Sequence, residues 1–361
     1  MHRAVQVVSR AISTKSTMPI LNNVFLGSQK NAIKLMATDL ETGMQISIPA
    51  TVTEGGAITI PARLFTEIVA HLPEDDVQLQ VKEEAPTTIE VACGASSMEV
   101  LGLPATDFPL APEPESEAVC EVTGELLRGM IRQTIFSAST DETRPFLTGV
   151  YLLVEGKEIK MVATDGGRLA LRRVSLDPPA RQKMNAIVPA KTMHELARAL
   201  AGGEEKVTVN LAEKQVVFVQ GQLRVTSRLI AGQFPNYQQV IPQEFKQRIR
   251  VNTDRLLQAV RRVSITARDS ANVVRFEVAG AKMTISSNTP EVGRAREEVE
   301  VAAEGEGMQV AFNAKYLLDV LGVLDAEETQ LELTGPLSPG TLRPGGRNDY
   351  IYVLAPVRVY A

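Results

Sequence analysis

At 361 residues the chain is longer than the roughly 250–300 residues at which single cores stop growing, so two or three domains are expected. Apolar residues make up 44% and charged residues 22%; with no Trp and 4% aromatics, Leu, Ile, Val, Ala and Met must fill the cores of an ordinary globular protein. The net charge of −5 argues, in bulk, against a polyanionic partner. No apolar run approaches the ~18 residues of a membrane span, and the N-terminus lacks the apolar stretch of a signal peptide. Cys93 and Cys120 stand alone and read as two reduced thiols. No membrane association and a cytoplasmic setting follow as expectations.

In chain order the predicted elements repeat. The chain starts inside an amphipathic helix over residues 2–12. The strand that precedes this helix in later copies is missing, through a late start or because the protein does without it. A strand from Ile33 ends in the turn Ala37-Thr38-Asp39, and Ile60-Pro61-Ala62-Arg63 leads from a strand into a helix over 62–72. Beyond the Pro/Glu-rich stretch at 109–114, a strand over 118–122 leads to a helix over 125–136, with Thr123 as its cap. Ile159 to Asp165 repeats the strand and its Ala-Thr-Asp turn, and Val188-Pro189-Ala190-Lys191 opens a helix over 190–200. An acidic turn and a strand at Val207–Val209 follow. After Pro242–Lys246 the series runs again: a strand over 248–251, a helix over 254–268 capped by Thr253 or Asp254, a weaker strand copy at Met283–Asn288, and Phe312-Asn313-Ala314-Lys315 opening a helix over 314–324.

Three copies of about 120–128 residues, each with two helices among many short strands, predict an α+β protein of three repeated domains, over 1–114, 115–243 and 244–361. The six helix segments carry twelve basic and five acidic residues, whereas the rest of the chain carries 26 basic and 38 acidic. In the helix from Asp254, Leu256, Val260 and Val263 share one face while Arg255, Gln258 and Arg262 share the other. An acidic protein thus concentrates positive charge on its helices, which suits contact with phosphates.

Catalytic and cofactor signatures are missing. There is no GxxxxGK[ST] loop, GxGxxG turn or GxSxG elbow, and His2, His71 and His194 do not pair at metal-ligand spacing. No cofactor and no metal are expected. Asp39 and Asp165 read as turn residues satisfying backbone amides, not as catalytic acids.

Several segments carry a resemblance to a known family: Thr17-Met18-Pro19-Ile20-Leu21-Asn22-Asn23, Ala37-Thr38-Asp39-Leu40-Glu41, Arg144-Pro145-Phe146-Leu147-Thr148-Gly149, Val162 to Ala170, Phe234-Pro235-Asn236-Tyr237, Phe312 to Leu321 and Ala355-Pro356-Val357-Arg358. Through them the chain resembles the bacterial DNA polymerase III beta subunit, the sliding-clamp family. The resemblance implies a clamp architecture of two helices packed on antiparallel sheets per domain, and a head-to-tail homodimer forming a six-domain ring around duplex DNA. It implies a processivity factor with no catalytic site, whose partners are the DNA polymerase III alpha subunit, the clamp loader, and other polymerases and repair proteins carrying short apolar motifs. A topological link explains retention where purely electrostatic binding fails with rising salt.

The resemblance also implies a peptide pocket between the second and third domains, walled by Leu147, Thr164, Gly166, Arg168, Leu169, Pro235, Val240, Asn313, Tyr316, Leu337, Pro339, Val353, Leu354, Pro356, Val357 and Arg358, with Arg168 or Asn313 on the peptide backbone. Gly167, Gln239, Ala271, Ala355 and Val357 depart from the family pattern, mostly toward smaller side chains, which implies a roomier pocket. For DNA, matching positions suggest Lys15, Arg144 and Lys191, and the helix charge adds Arg63, Arg128, Arg132, Arg198, Arg255, Arg261 and Arg262. Ile265 and Glu297, Glu298 and Glu300 are expected at a domain edge. The rival reading is a peptide-binding scaffold of the same fold that does not encircle DNA.

Overall fold

The structure is a computed structural model that describes residues 1–13, 18–109, 117–268, 271–290 and 292–358. The first repeat runs α1 (His2–Val8), β1 (Asn23–Gln29), β2 (Ala32–Thr38), β3 (Thr42–Pro49), β4 (Ala57–Pro61), α2 (Ala62–His71), β5 (Val77–Lys82), β6 (Ala85–Cys93), β7 (Ser96–Leu101) and β8 (Leu103–Pro104). The second runs β9 (Glu117–Thr123), α3 (Gly124–Thr134), β10 (Gly149–Glu155), β11 (Glu158–Thr164), β12 (Arg168–Ser175), β13 (Met184–Pro189), α4 (Ala190–Ala199), β14 (Lys206–Ala212), β15 (Gln215–Gln220) and β16 (Leu223–Arg228). The third runs β17 (Gln247–Asn252), α5 (Thr253–Ala267), β18 (Val273–Ala279), β19 (Lys282–Thr289), β20 (Gly293–Glu300), β21 (Ala302–Gly305), β22 (Gln309–Asn313), α6 (Ala314–Leu321), β23 (Glu328–Leu333), β24 (Gly340–Pro344) and β25 (Tyr350–Leu354).

The contacts group these elements into two compact units rather than three. Unit 1 holds residues 1–128, 178–184 and 191–229, and unit 2 holds 129–177, 185–190 and 230–361. The reason is visible in the sheets. Unit 1 is built on nine strands in the order β8-β4-β1-β2-β3-β16-β15-β14-β9, and unit 2 on nine in the order β13-β10-β11-β12-β25-β24-β23-β17-β21. Each sheet therefore takes strands from two consecutive repeats. In unit 1 the junction is β3 with β16, where Thr42 faces Ser227. In unit 2 it is β12 with β25, where Arg168 faces Leu354 and Leu169 faces Val353. Unit 1 also carries the small sheet β5-β6-β7, and unit 2 the sheet β20-β19-β18-β22.

The helices form where apolar side chains recur at intervals of three and four. α5 buries Leu256, Leu257, Val260, Val263 and Ala267, and leaves Arg255, Gln258 and Arg262 in solvent. That face packs among Phe276, Ile285, Phe312, Leu317 and Tyr352, each such side chain adding about 1.5–3 kcal/mol on burial. The cap lies one residue earlier than expected: the Asn252 side chain, not Thr253 or Asp254, accepts the Arg255 amide at 3.0 Å. Thr253 instead bonds Thr329 inside the core, at 2.8 Å. Thr123 caps α3 as expected, accepting the Leu126 amide at 3.3 Å. Cys93 and Cys120 are free and buried. Burial, with Glu121 adding to it, pushes the Cys120 thiol up to about 11.

Candidate peptide pocket and nucleic-acid interface

In unit 2, β11 and β12 are joined by a turn built from its own side chains. Asp165 Oδ1 accepts the amides of Gly167 at 2.9 Å and Arg168 at 3.0 Å; Thr164 Oγ1 accepts the Gly166 amide at 3.1 Å and donates to the Arg168 carbonyl at 2.6 Å. Gly166 sits at φ 95°, a left-handed conformation natural to glycine. Asp39 and Thr38 make the same bonds in unit 1, to the Thr42 and Leu40 amides. In both turns the Asp is a structural acceptor.

Arg168 closes this corner. Its side chain is 8% exposed, with Nε on Asp165 at 3.0 Å, one Nη on Asp319 at 2.5 Å and the other on the Phe136 carbonyl at 2.5 Å. The guanidinium lies over the Tyr316 ring, 4.1 Å from its centroid. Burial alone would lower the Arg168 pKa, but Asp319 and then Tyr352 and Asp165 outweigh it, so the group is held firmly charged. Burial, followed by Asp165, raises the Tyr316 phenol. Every arginine nitrogen thus has an acceptor inside the protein, and Arg168 holds the turn against α6. Asn313 is likewise committed through its Oδ1, which caps α6 by accepting the amides of Lys315 at 2.9 Å and Tyr316 at 3.3 Å. The sequence reading did not single out Asp319 or the Phe136 carbonyl. Asp319 lies three residues after Tyr316 on α6, a spacing that places both on one helix face.

On the other side of the β12–β25 junction lies an apolar cluster. Leu147, Leu169 and Val353 pack there with Val162, Leu171, Ile187, Phe234 and Ile351, and with the partly buried Tyr237 and Ile241. The Phe234 ring stacks on Tyr151 at 4.8 Å. Leu354 is a correction. Strand alternation turns it away from Val353 into the core of α5 and α6, where it is fully buried, so its side chain is no wall of this pocket. Pro235 and Val240 are exposed on the segment after Phe234, and Leu337 and Pro339 lie on the loop before β24, with Val240 50% and Leu337 64% exposed. The chain after β25 is tied back by the Ala355 amide on the Gly167 carbonyl, at 2.9 Å, and the Val357 amide on the Ala311 carbonyl, at 2.8 Å. Pro356 and Val357 are half-buried there, and Arg358 is exposed. A Cβ on Gly167 would meet the Tyr316 ring at 3.4 Å, so its absence uncovers one edge of that ring.

Of the expected DNA contacts, Lys15 lies outside the described residues. The other nine are all exposed. Six have a carboxylate partner: Arg128 with Glu125, Arg144 with Asp141, Lys191 with Asp39, Arg198 with Glu195, Arg255 with Glu300 and Arg262 with Glu297. Arg63, Arg132 and Arg261 have none among the described residues. Arg132 and Arg261 occupy matching positions on α3 and α5, the first helices of their repeats.

The sequence matches three family models in order: the N-terminal domain of the DNA polymerase III beta subunit over residues 1–112, its central domain over 121–236 and its C-terminal domain over 238–358. The chain belongs to the DNA polymerase III beta subunit family. The beta sliding clamp of Bacillus subtilis is 35% identical, over 99% of this chain and 97% of its own. That of Staphylococcus aureus is 32% identical, over 97% of this chain and 95% of its own. Among solved structures, a B. subtilis sliding clamp superposes with a TM-score of 0.94 at 34% identity, covering 99% of this chain and 97% of that one. A Pseudomonas aeruginosa sliding clamp bound to griselimycin gives 0.94 at 30% identity, with the same coverage.

Proposed function

We propose that this protein is a DNA sliding clamp: a non-catalytic processivity factor in which two chains, head to tail, close a six-domain ring on duplex DNA and tether polymerases to it. The observation that carries this reading is the ordered match of all three clamp domains across the chain, with full-length relatives named as sliding clamps. The domains on this reading span 1–114, 115–243 and 244–361. The setting is the cytoplasm, at replicating DNA.

Two sheet edges support a head-to-tail dimer. β7 is the outer strand of its sheet and carries Met98 and Leu101, 36% and 72% exposed; β20 is the outer strand of its own sheet and lies beside α5, whose Ile265 is 59% exposed. Open edges flanked by exposed apolar side chains pair readily with another chain. Arg63, Arg132, Arg261 and the weakly paired cations supply loose phosphate contacts, while the ring itself supplies retention. Client proteins (the DNA polymerase III alpha subunit, the clamp loader, other polymerases and repair factors) dock short apolar motifs on the pocket of Leu147, Leu169, Val353, Pro235, Val240 and Leu337. The test is small-angle scattering combined with retention on circular plasmid. A two-chain particle with a central hole, held on nicked circles at high salt and released by linearisation, supports the clamp. A monomer, or equal loss from circular and linear DNA, overturns it in favour of a scaffold.

A further inference from the structure

In the second and third repeats a strand leads straight into the first helix and pairs antiparallel with the strand that follows the second helix. β9 lies along β14, with Val122 facing Val207 and Cys120 facing Val209. β17 lies along β23, with Ile249 facing Leu331 and Val251 facing Thr329. The counterpart of β14 and β23 in the first repeat is β5, the strand after α2. Its sheet runs β5-β6-β7, so β5 is an outer strand and no described strand covers its free side.

The open side shows in the burial. Val207 and Val209 on β14, and Leu331 and Leu333 on β23, are completely buried, each at 0% exposure. Val77, Leu79 and Val81 face the buried Cys93, Val91 and Ile89 of β6, yet remain only half-buried themselves. An outer strand also leaves its outward N–H and C=O groups to solvent, which makes it a template for one more strand. Charge then decides which strand fits. Glu74, Asp75 and Asp76 precede β5, and Glu83 and Glu84 follow it; all are exposed and none has an ion-pair partner among the described residues. The one cation of that stretch, Lys82, is already held by Glu99. A second copy of β5 would set acidic flank against acidic flank in either direction, which opposes pairing between copies.

We propose that the free edge of β5 is a docking site for an extended partner segment that adds one antiparallel strand, with aliphatic residues at alternate positions and Lys or Arg between and beside them. The third repeat shows a sequence that fits such an edge. β17 reads Gln247-Arg248-Ile249-Arg250-Val251-Asn252; it buries Ile249 and Val251 and sets Arg248 on Glu332 of β23 at 3.0 Å. On β5 the aliphatic residues of the occupant cover Val77, Leu79 and Val81, and its cations meet the acidic flanks. The irregular pairing after Val81 confines the edge to Val77–Val81. The site does not depend on the unit 2 pocket. It stays open in a ring as well as in a scaffold, because the head-to-tail reading uses β7, at the opposite edge of the same sheet.

The test titrates a synthetic peptide, the β17 sequence with one lysine added at each end, onto the full-length protein. Binding is expected to weaken as salt rises, to protect the amides of residues 77–81 from hydrogen exchange, and to fall about tenfold in the Glu74→Lys/Glu83→Lys variant. Only one edge of an added strand faces β5. Methylating one alternate set of the peptide's amides should therefore abolish binding, while methylating the other set should leave it. A scrambled peptide of the same charge that binds equally well, or an absence of protection at residues 77–81, overturns the site. So does loss of binding from both methylated peptides alike. Self-association of the protein through residues 77–81, strengthened by Glu74→Lys/Glu83→Lys, overturns the basic occupant in favour of a second copy. Both substitutions fall at exposed positions, and melting curves confirm the fold; the two methylated peptides decide the matter on the unaltered protein in any case.

Discussion

Tyr316 lies under the Arg168 guanidinium, its ring centroid 4.1 Å from Cζ, while Asp165 and Asp319 take the guanidinium's nitrogens from either side. The pair joins the β11–β12 turn to the start of α6. Removing one partner from such a cluster leaves carboxylates poorly solvated, an effect larger than the worth of the pair itself. With Asp165 17% and Asp319 29% exposed, Arg168→Ala is expected to destabilise the protein by about 2–3 kcal/mol. Urea midpoints measure this. A change below about 0.5 kcal/mol would show that the cluster does not stabilise the corner.

Acid should weaken the protein through Asp349. Burial pushes its carboxyl up, but hydrogen bonds from Arg347, at 2.7 Å, and from Arg172 outweigh this and hold it below the usual 3.8. A carboxylate depressed in the folded state contributes stability above its unfolded pKa and loses it as pH falls through the folded one. The loss therefore begins near pH 4 and continues downward. Asp349→Asn is expected to shallow that acid limb while costing under about 1 kcal/mol at neutral pH, the side chain being 34% exposed. Glu297 and Glu298, lowered by Arg262 and by Lys282, keep some of the limb in the variant. An unchanged slope below pH 4 would exclude Asp349 as a contributor.

Much of this was legible in the sequence, for definite reasons. All six helices appear where the three-and-four spacing placed them, and the two Ala-Thr-Asp turns are the ones read as self-satisfied. What stayed hidden is non-local. The pairing of Thr42 with Ser227, 185 residues on, fuses consecutive repeats into one sheet, and no local period encodes it. The charge count on the helices was sound, but the partners of Arg255 and Arg262 come from β20, some 35–45 residues away. Leu354 was misread because a family position carries over while the direction of a side chain follows strand parity.

That pairing separates the basic residues by prediction. Arg132 and Arg261 keep their charge uncompensated, so Arg132→Ala and Arg261→Ala should each flatten the dependence of log affinity for linear duplex on log salt by ~0.9. Arg255→Ala and Arg262→Ala, already facing Glu300 and Glu297, should change the slope less. Titrations at several salt concentrations decide it. Equal slopes for the two pairs would mean that the Glu partners do not restrain those arginines in solution.

Within the unit 2 pocket, exposure sorts the residues by what their loss should do. Leu147 and Leu169 are 5% and 2% exposed and sit in the apolar cluster, so truncating either to Ala should cost about 2–5 kcal/mol of folding stability along with any loss of binding. Val240 and Leu337 are 50% and 64% exposed, and their truncation should leave stability within about 0.5 kcal/mol. If a peptide anchor covers them, each loses about 1–2 kcal/mol of binding, or roughly 5- to 30-fold in affinity. Calorimetry with a short synthetic peptide bearing Leu and Phe anchors, beside melting curves of the same proteins, separates the two effects. Unchanged affinity in Val240→Ala and Leu337→Ala would confine the peptide to the buried cluster and remove the outer walls from the pocket.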